Sequence, residues 1–197
     1  MNSLSPDSKE KTQKRVWEYP VPIVKGDNPE QVDAYLTGTI DEPSYYNELC
    51  HVLGTAEEGH SVTLHINTPG GIVDTALMVA EAIENSKASV TANIYGTVAS
   101  AGTVIALACD DLVTSRHVSF MIHNYSGGMQ GKGHEMKARQ KYTDAHLSSV
   151  FNYYYGGFLT EEEMERVIEG SDIWIGAEEV AKRWQDKLKK AEGSDNG

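Results

Sequence analysis

Cysteine is nearly missing from this chain. Its two thiols, Cys50 and Cys109 among 197 residues, have no CxxC spacing and stand in apolar surroundings. That excludes a disulfide scaffold and a thiolate zinc site, and it points to free buried thiols in a reducing compartment. Cations are also scarce, with 17 Lys and Arg against 29 Asp and Glu for a formal net charge of −12. Phosphate neutralisation needs clustered Lys and Arg, which occur only in residues 9–15 and 182–190, so no nucleic-acid surface is expected. No apolar run approaches the roughly 18 residues that would span a bilayer. The stretch from Met1 to Asp7 lacks the apolar core of a signal peptide, so a cytoplasmic location with no membrane partner is expected and the sequon Asn124-Tyr125-Ser126 carries no glycosylation meaning. The seven histidines contain no HExxH pair. His60 and His65 read as surface or strand residues, and neither a metal nor another cofactor is required.

What the chain does contain is an alternation of short β-rich runs and helical stretches. Strands are predicted over 35–40, 62–66 and 90–95, and helices over 44–55, 72–86 and 100–109. Such repeated βα units predict an α/β fold built on a largely parallel sheet or spiral. Residues 16–188 are expected to form a single domain, flanked by polar, mobile tails at 1–15 and 189–197. After Cys109 two brief strands, 112–114 and 118–122, lead to the glycine-rich stretch 126–133 and a long helix over 134–154. That helix has few apolar positions and carries Glu135, Lys137, Arg139, Lys141 and Asp144. It can bury little alone, so residues 124–156 are expected to project as a strand-helix handle that needs a partner subunit. The following helix opens at Thr160, with Glu163 three residues on to complete a capping box.

Four local features bear on chemistry. Gly96-Thr97-Val98-Ala99-Ser100-Ala101-Gly102 sets a hydroxyl among small residues between a strand and a helix, where the next backbone N–H is placed to stabilise negative charge. Most serines at turns are caps or solvated groups, so Ser100 alone decides nothing. His123 ends a strand-like run, and by itself it reads equally as a hydrogen-bonded surface residue. Asp172, in Gly170-Ser171-Asp172, could be an ordinary turn residue. The loop Asn67-Thr68-Pro69-Gly70-Gly71 closes a strand and opens a helix with two glycines, which lets backbone N–H groups approach a reacting carbonyl. The glycine-rich stretch lacks the spacing and the Ser or Thr of a phosphate loop and reads instead as a strand that pairs with substrate.

Taken together and in this order, these pieces resemble the Clp-type serine peptidase family over roughly residues 35–180. Asn67-Thr68-Pro69-Gly70-Gly71, Ala99-Ser100-Ala101-Gly102 and Met121-Ile122-His123 match the family's diglycine loop, serine turn and histidine segment. The resemblance implies a Clp/crotonase-like spiral of βα units. It assigns Ser100 as nucleophile, His123 as base and Asp172 as orienting carboxylate, with the Gly71 and Ala101 N–H groups as the oxyanion hole. It further places Gly70, Ile72, Ser126 and Gly127 along a peptide substrate. The implied activity is hydrolysis of unfolded proteins or peptides inside a homo-oligomer, a heptameric ring or stacked double ring, with an AAA+ unfoldase as partner. The chain departs from the housekeeping pattern before the fold and in Lys182-Arg183-Trp184-Gln185-Asp186. The small residues around Ser100 and the Trp two after Asp172 are closer to phage-type members that process capsid precursors. A catalytically idle scaffold subunit and a crotonase-like acyl-CoA enzyme stay open as alternatives.

Overall fold

Strict alternation of apolar and polar side chains sets up the centre of the molecule. The computed structural model describes residues 21–194. Strand β1 (Ile23–Lys25) is followed by β2 (Gln31–Thr37), in which Val32, Ala34 and Leu36 are buried while Asp33 and Tyr35 point to the other face. The same period of two runs through β3 (Ser61–Thr68), with Val62, Leu64 and Ile66 inward, and β4 (Ser89–Ala99), with Val90, Ala92 and Ile94 inward. β2, β3 and β4 pair in parallel, and β1 adds antiparallel at the edge. Helices α1 (Asn47–Thr55) and α2 (Val73–Glu84) supply the crossovers, α2 burying Ala76, Val79, Ala80 and Ile83 at helical spacing.

β4 then changes partner along its length. Its first half, Thr91 to Ile94, pairs in parallel with β5 (Asp111–Thr114), whereas Thr97 to Ala99 pair in parallel with β6 (Ser119–Ile122). Two features mark the change. The β3–β4 register shifts between Ile66 and Thr68, and the Asn67 side-chain oxygen accepts the Thr97 N–H at 3.1 Å beside Gly96, whose φ is 62°. An irregularity of this kind bends a strand and re-aims its end. Here it turns the end of β4 over α3 (Ala101–Leu107). Every residue of α3 is buried, as expected for a helix with no charged side chain.

β7 (Ile173–Gly176) closes the sheet antiparallel to β6, giving the order β1-β2-β3-β4-β6-β7 with β5 on β4. α4 (Gly133–Tyr155) leaves its first turns exposed and buries Leu147, Phe151, Tyr154 and Tyr155 near its C-terminal end. α5 (Glu161–Ile168) carries the expected capping box, with the Glu163 N–H donating to Thr160 Oγ1. Arg183 of α6 (Ala177–Ser194) reaches both Glu163 oxygens and Glu179, pinning α6 to α5.

The α/β expectation therefore holds, and several local boundaries move. β2 begins at Gln31 and ends at Thr37, earlier than the predicted 35–40, its alternation of buried Val32, Ala34 and Leu36 with outward Asp33 and Tyr35 running through the whole strand. The basic run 182–190 lies within α6, whose inner face buries Val180 and Trp184. Residues 189–194 are thus helical, while 1–15 and 195–197 of the expected tails lie outside the described residues. Residues 123–132, which include most of the stretch expected to pair with substrate, join no ladder within this chain. His65 is a strand residue, as expected, with Nε2 2.7 Å from Asp33 Oδ1 and its ring stacked on Tyr35. No helix among the described residues is long and apolar enough to cross a membrane.

Candidate active site

Sheet register brings the separated sequence features together. Ala99 lies beside Met121 in the β4–β6 ladder, and the Ser100 N–H donates to the Met121 carbonyl at 2.9 Å. Ser100 therefore leaves β4 level with the end of β6. It is the one non-glycine among the described residues with positive φ (φ 53°, ψ −128°). A side chain in that region is strained, and such strain is held only where surrounding contacts fix it. The turn lifts the hydroxyl out of the sheet, and Ser100 Oγ lies 2.7 Å from His123 Nε2. Asp172 comes from the antiparallel neighbour. Ile122 pairs with Ile173 in the β6–β7 ladder, so His123 and Asp172 are opposed one step beyond it. His123 Nδ1 and Asp172 Oδ1 are 3.9 Å apart, a charge contact too long for a hydrogen bond.

The diglycine loop packs directly on this turn. A Cβ at Gly70 would lie 2.7 Å from both Ala99 O and Ser100 Cβ and 3.1 Å from Ala101 N, and Gly70 has a φ of 97°. Only glycine fits there. Gly71 is equally confined, since a Cβ would meet Ile40 O at 2.0 Å. Two bonds latch the loop to Ile40: the Ile40 N–H donates to Gly70 O and the Ile72 N–H donates to Ile40 O, each at 2.9 Å. Neither bond uses the Gly71 N–H. The Gly70 N–H is given to Thr68 Oγ1 at 3.0 Å, so the N–H groups of Gly70 and Ile72 are both consumed inside the chain.

Two hollows share Val73 and Tyr125 as walls, and one of them reaches Ser100. One is a closed recess of about 20 Å³ between Ser100 and His123, walled by Val73, Val104, Val150, Phe151 and Tyr155. The other is an open cleft of about 480 Å³ bordered by Ile72, Asp74, Tyr125, Ser126, Arg139 and His146. Ile72 and Ser126 both line the cleft, whereas Gly127 lines neither hollow.

A sequence model of the Clp protease family matches residues 32–184, a span that contains β2 through β7, the serine turn, the diglycine loop, His123 and Asp172. The chain belongs to the Clp protease family. Membership makes it a peptidase by family, and its α/β architecture agrees with that fold. This Clp-family chain is 28% identical over 153 residues to the ATP-dependent Clp protease proteolytic subunit 2 of Pseudomonas aeruginosa, with 74% of each chain covered.

Four residues of the Clp-family chain were not singled out for the site from sequence. Asn124 Nδ2 donates to Ile168 O at 2.9 Å, and Tyr125 OH donates to Asp144 Oδ1 of α4 at 2.5 Å and accepts from Gln140. These bonds tie the segment after His123 to α5 and α4. Thr103 and Tyr155 share a buried hydroxyl contact beneath Ser100, at 2.8 Å. The adjacency of Asn124 and Tyr125 to His123 was a usable signal. For Tyr155, 52 residues from Thr103, no local pattern existed.

Proposed function

We propose that this Clp-family chain is a serine endopeptidase that cleaves peptide bonds of unfolded proteins or peptides through a Ser100-His123-Asp172 triad and an acyl-enzyme. The observation that carries this reading is the 2.7 Å approach of Ser100 Oγ to His123 Nε2 at a strained strand-to-helix turn. For His123 to act as base, the Ser100 hydroxyl donates to an unprotonated Nε2 and the ring proton is carried on Nδ1, the nitrogen facing Asp172. On attack, Ser100 Oγ bonds to the substrate carbonyl carbon while its proton passes to His123 Nε2. The carbonyl oxygen becomes an oxyanion, taken up by the N–H groups of Gly71 and Ala101. His123 returns the proton to the leaving amine as the peptide C–N bond breaks. Water, deprotonated by the same nitrogen, then releases the acid from Ser100. Asp172 steadies the imidazolium and must approach by about 1 Å to hydrogen-bond it.

The recess beside Ser100, at about 20 Å³, has room for no more than a methyl-sized group, and the open cleft lined by Ile72 and Ser126 suits extended backbone. Gly70 and Ile72 contribute shape rather than N–H donors, because both donors are already spent. Gly127, next to Ser126 in the chain, offers backbone without side-chain bulk. A ring-shaped homo-oligomer, heptameric or doubled, is supported by the long α4 with its exposed Tyr142 and Tyr153 and by family membership. An AAA+ unfoldase as feeder is the corresponding partner, drawn from the ATP-dependent character in the relative's name. Phage-type processing of capsid precursors is the alternative substrate class. The test is covalent labelling by a fluorophosphonate together with fluorogenic peptide cleavage. Both are expected in the wild type and absent in Ser100→Ala, and labelling that persists in Ser100→Ala overturns the reading. The 3.9 Å gap between His123 and Asp172 favours one second reading, an idle scaffold subunit. Its signature is ring formation with no labelling and no cleavage.

A further inference from the structure

We propose that Tyr155 and Thr103 are positioning residues for the nucleophile, forming a hydroxyl relay that runs from the end of α4 to the backbone carbonyl of Ser100. This rests on the reading of Ser100 as the nucleophile. The Ser100 carbonyl accepts two bonds from Thr103, one from its N–H at 2.9 Å and one from its Oγ1 at 2.6 Å. A carbonyl only accepts, so the single Thr103 hydroxyl proton lies on that second bond. Thr103 Oγ1 must then accept from Tyr155 O–H, 2.8 Å away. Tyr155 is 1% and Thr103 0% exposed, so no water competes for either hydroxyl. Burial pushes the Tyr155 phenol up to about 12, which keeps its proton in place at neutral pH.

The direction of both bonds is therefore fixed, and they converge on a residue whose conformation is unfavourable. Ser100 φ and ψ aim its Oγ at His123, and its carbonyl is the backbone group beyond ψ. Holding the carbonyl fixes that torsion. Catalytic groups need placement within about 0.5 Å, and a misplacement of about 1 Å can cost on the order of 100-fold. Tyr155 is also the last residue of α4 and, with Phe151, walls the recess beside Ser100. The relay thus anchors the serine turn to the base of the projecting helix.

The test compares the full chain with Tyr155→Phe, Thr103→Val, the double variant and Thr103→Ser. The readouts are kcat and KM on a fluorogenic peptide, the rate of fluorophosphonate labelling and oligomer mass by light scattering. Tyr155→Phe keeps the ring and its packing, and its kcat and labelling rate are expected to fall about 10-fold with KM and oligomer mass unchanged. Thr103→Val is expected to fall at least as far, the double variant no further than Thr103→Val, and Thr103→Ser to regain most of the rate. A Tyr155→Phe rate within about 2-fold of wild type, or losses that multiply in the double variant, overturns the relay. If Thr103→Val does not fold, Tyr155→Phe decides alone. Absence of labelling in the wild type itself overturns the peptidase reading and the relay with it, a result distinct from a labelled wild type with an unaffected Tyr155→Phe.

Discussion

His123 and Asp172 face each other one residue past the Ile122–Ile173 pair, yet their side chains stop 3.9 Å apart. The β6–β7 register brings the carboxylate to the Nδ1 side of the ring, beyond hydrogen-bond distance. Asp172→Asn should preserve fold and assembly while lowering kcat on a peptide substrate by about 1,000-fold or more, since an amide there favours the wrong imidazole tautomer. Steady-state kinetics check this. A loss below about 10-fold would mean that Asp172 does not orient His123 during turnover.

Gly70 packs directly against the serine turn. In Gly70→Ala the new Cβ would press on Ala99 O and Ser100 Cβ at 2.7 Å, with the backbone held at a φ of 97°. Loss of stability of about 1–3 kcal/mol is expected from the backbone conformation alone, together with loss of fluorophosphonate labelling. Thermal denaturation and labelling measured on the same sample separate the two effects. Unchanged labelling would show that the loop can retreat from Ser100 at no cost to it.

Ser100 holds its φ of 53° at the expense of stability. Ser100→Gly, which tolerates that conformation, and Ser100→Ala, which does not, both remove the hydroxyl and should both abolish cleavage. Ser100→Gly should nevertheless be the more stable of the two by about 1 kcal/mol, a Tm difference of about 2–4 °C for a chain of this length. Equal melting temperatures would indicate that the turn is not strained in solution.

Acid should loosen the joint between α5 and α6. Arg183 hydrogen-bonds both Glu163 oxygens and holds that carboxyl below its ordinary value, with the Thr160 backbone assisting. A carboxyl depressed in the folded state contributes its stability in full above its unfolded value of about 4.3, and that contribution disappears as pH falls through the folded value. Glu163→Gln should therefore lower Tm by about 2–4 °C near neutral pH, for a contribution of about 1 kcal/mol. The difference from wild type should shrink as pH falls below about 4.3 and vanish only once pH is below the folded value. Melting curves across pH test both the size and the window.

Much of the candidate site was legible because its parts are local. Asn67 to Gly71, Ala99 to Gly102 and Met121 to His123 are short strings whose residue types are constrained by what the adjacent backbone must do. The glycine-rich stretch before α4 has no neighbouring strand within this chain. The helical character of 182–190 was also hidden, since charged residues dominate the composition while only Val180 and Trp184 are deeply buried.

The sequence by itself determined the alternation of strands and helices, the small residues that permit the serine turn, and the glycines that let one loop touch another. These follow from periodicity and from side-chain volume, which are properties of neighbouring residues. Only the tertiary structure decided that β4 changes partner at Gly96, that β6 and β7 meet in a register opposing His123 and Asp172, and that Tyr155 reaches Thr103 beneath Ser100. Such pairings depend on which distant backbone groups satisfy each other once the core has closed, and no local pattern along the chain encodes them.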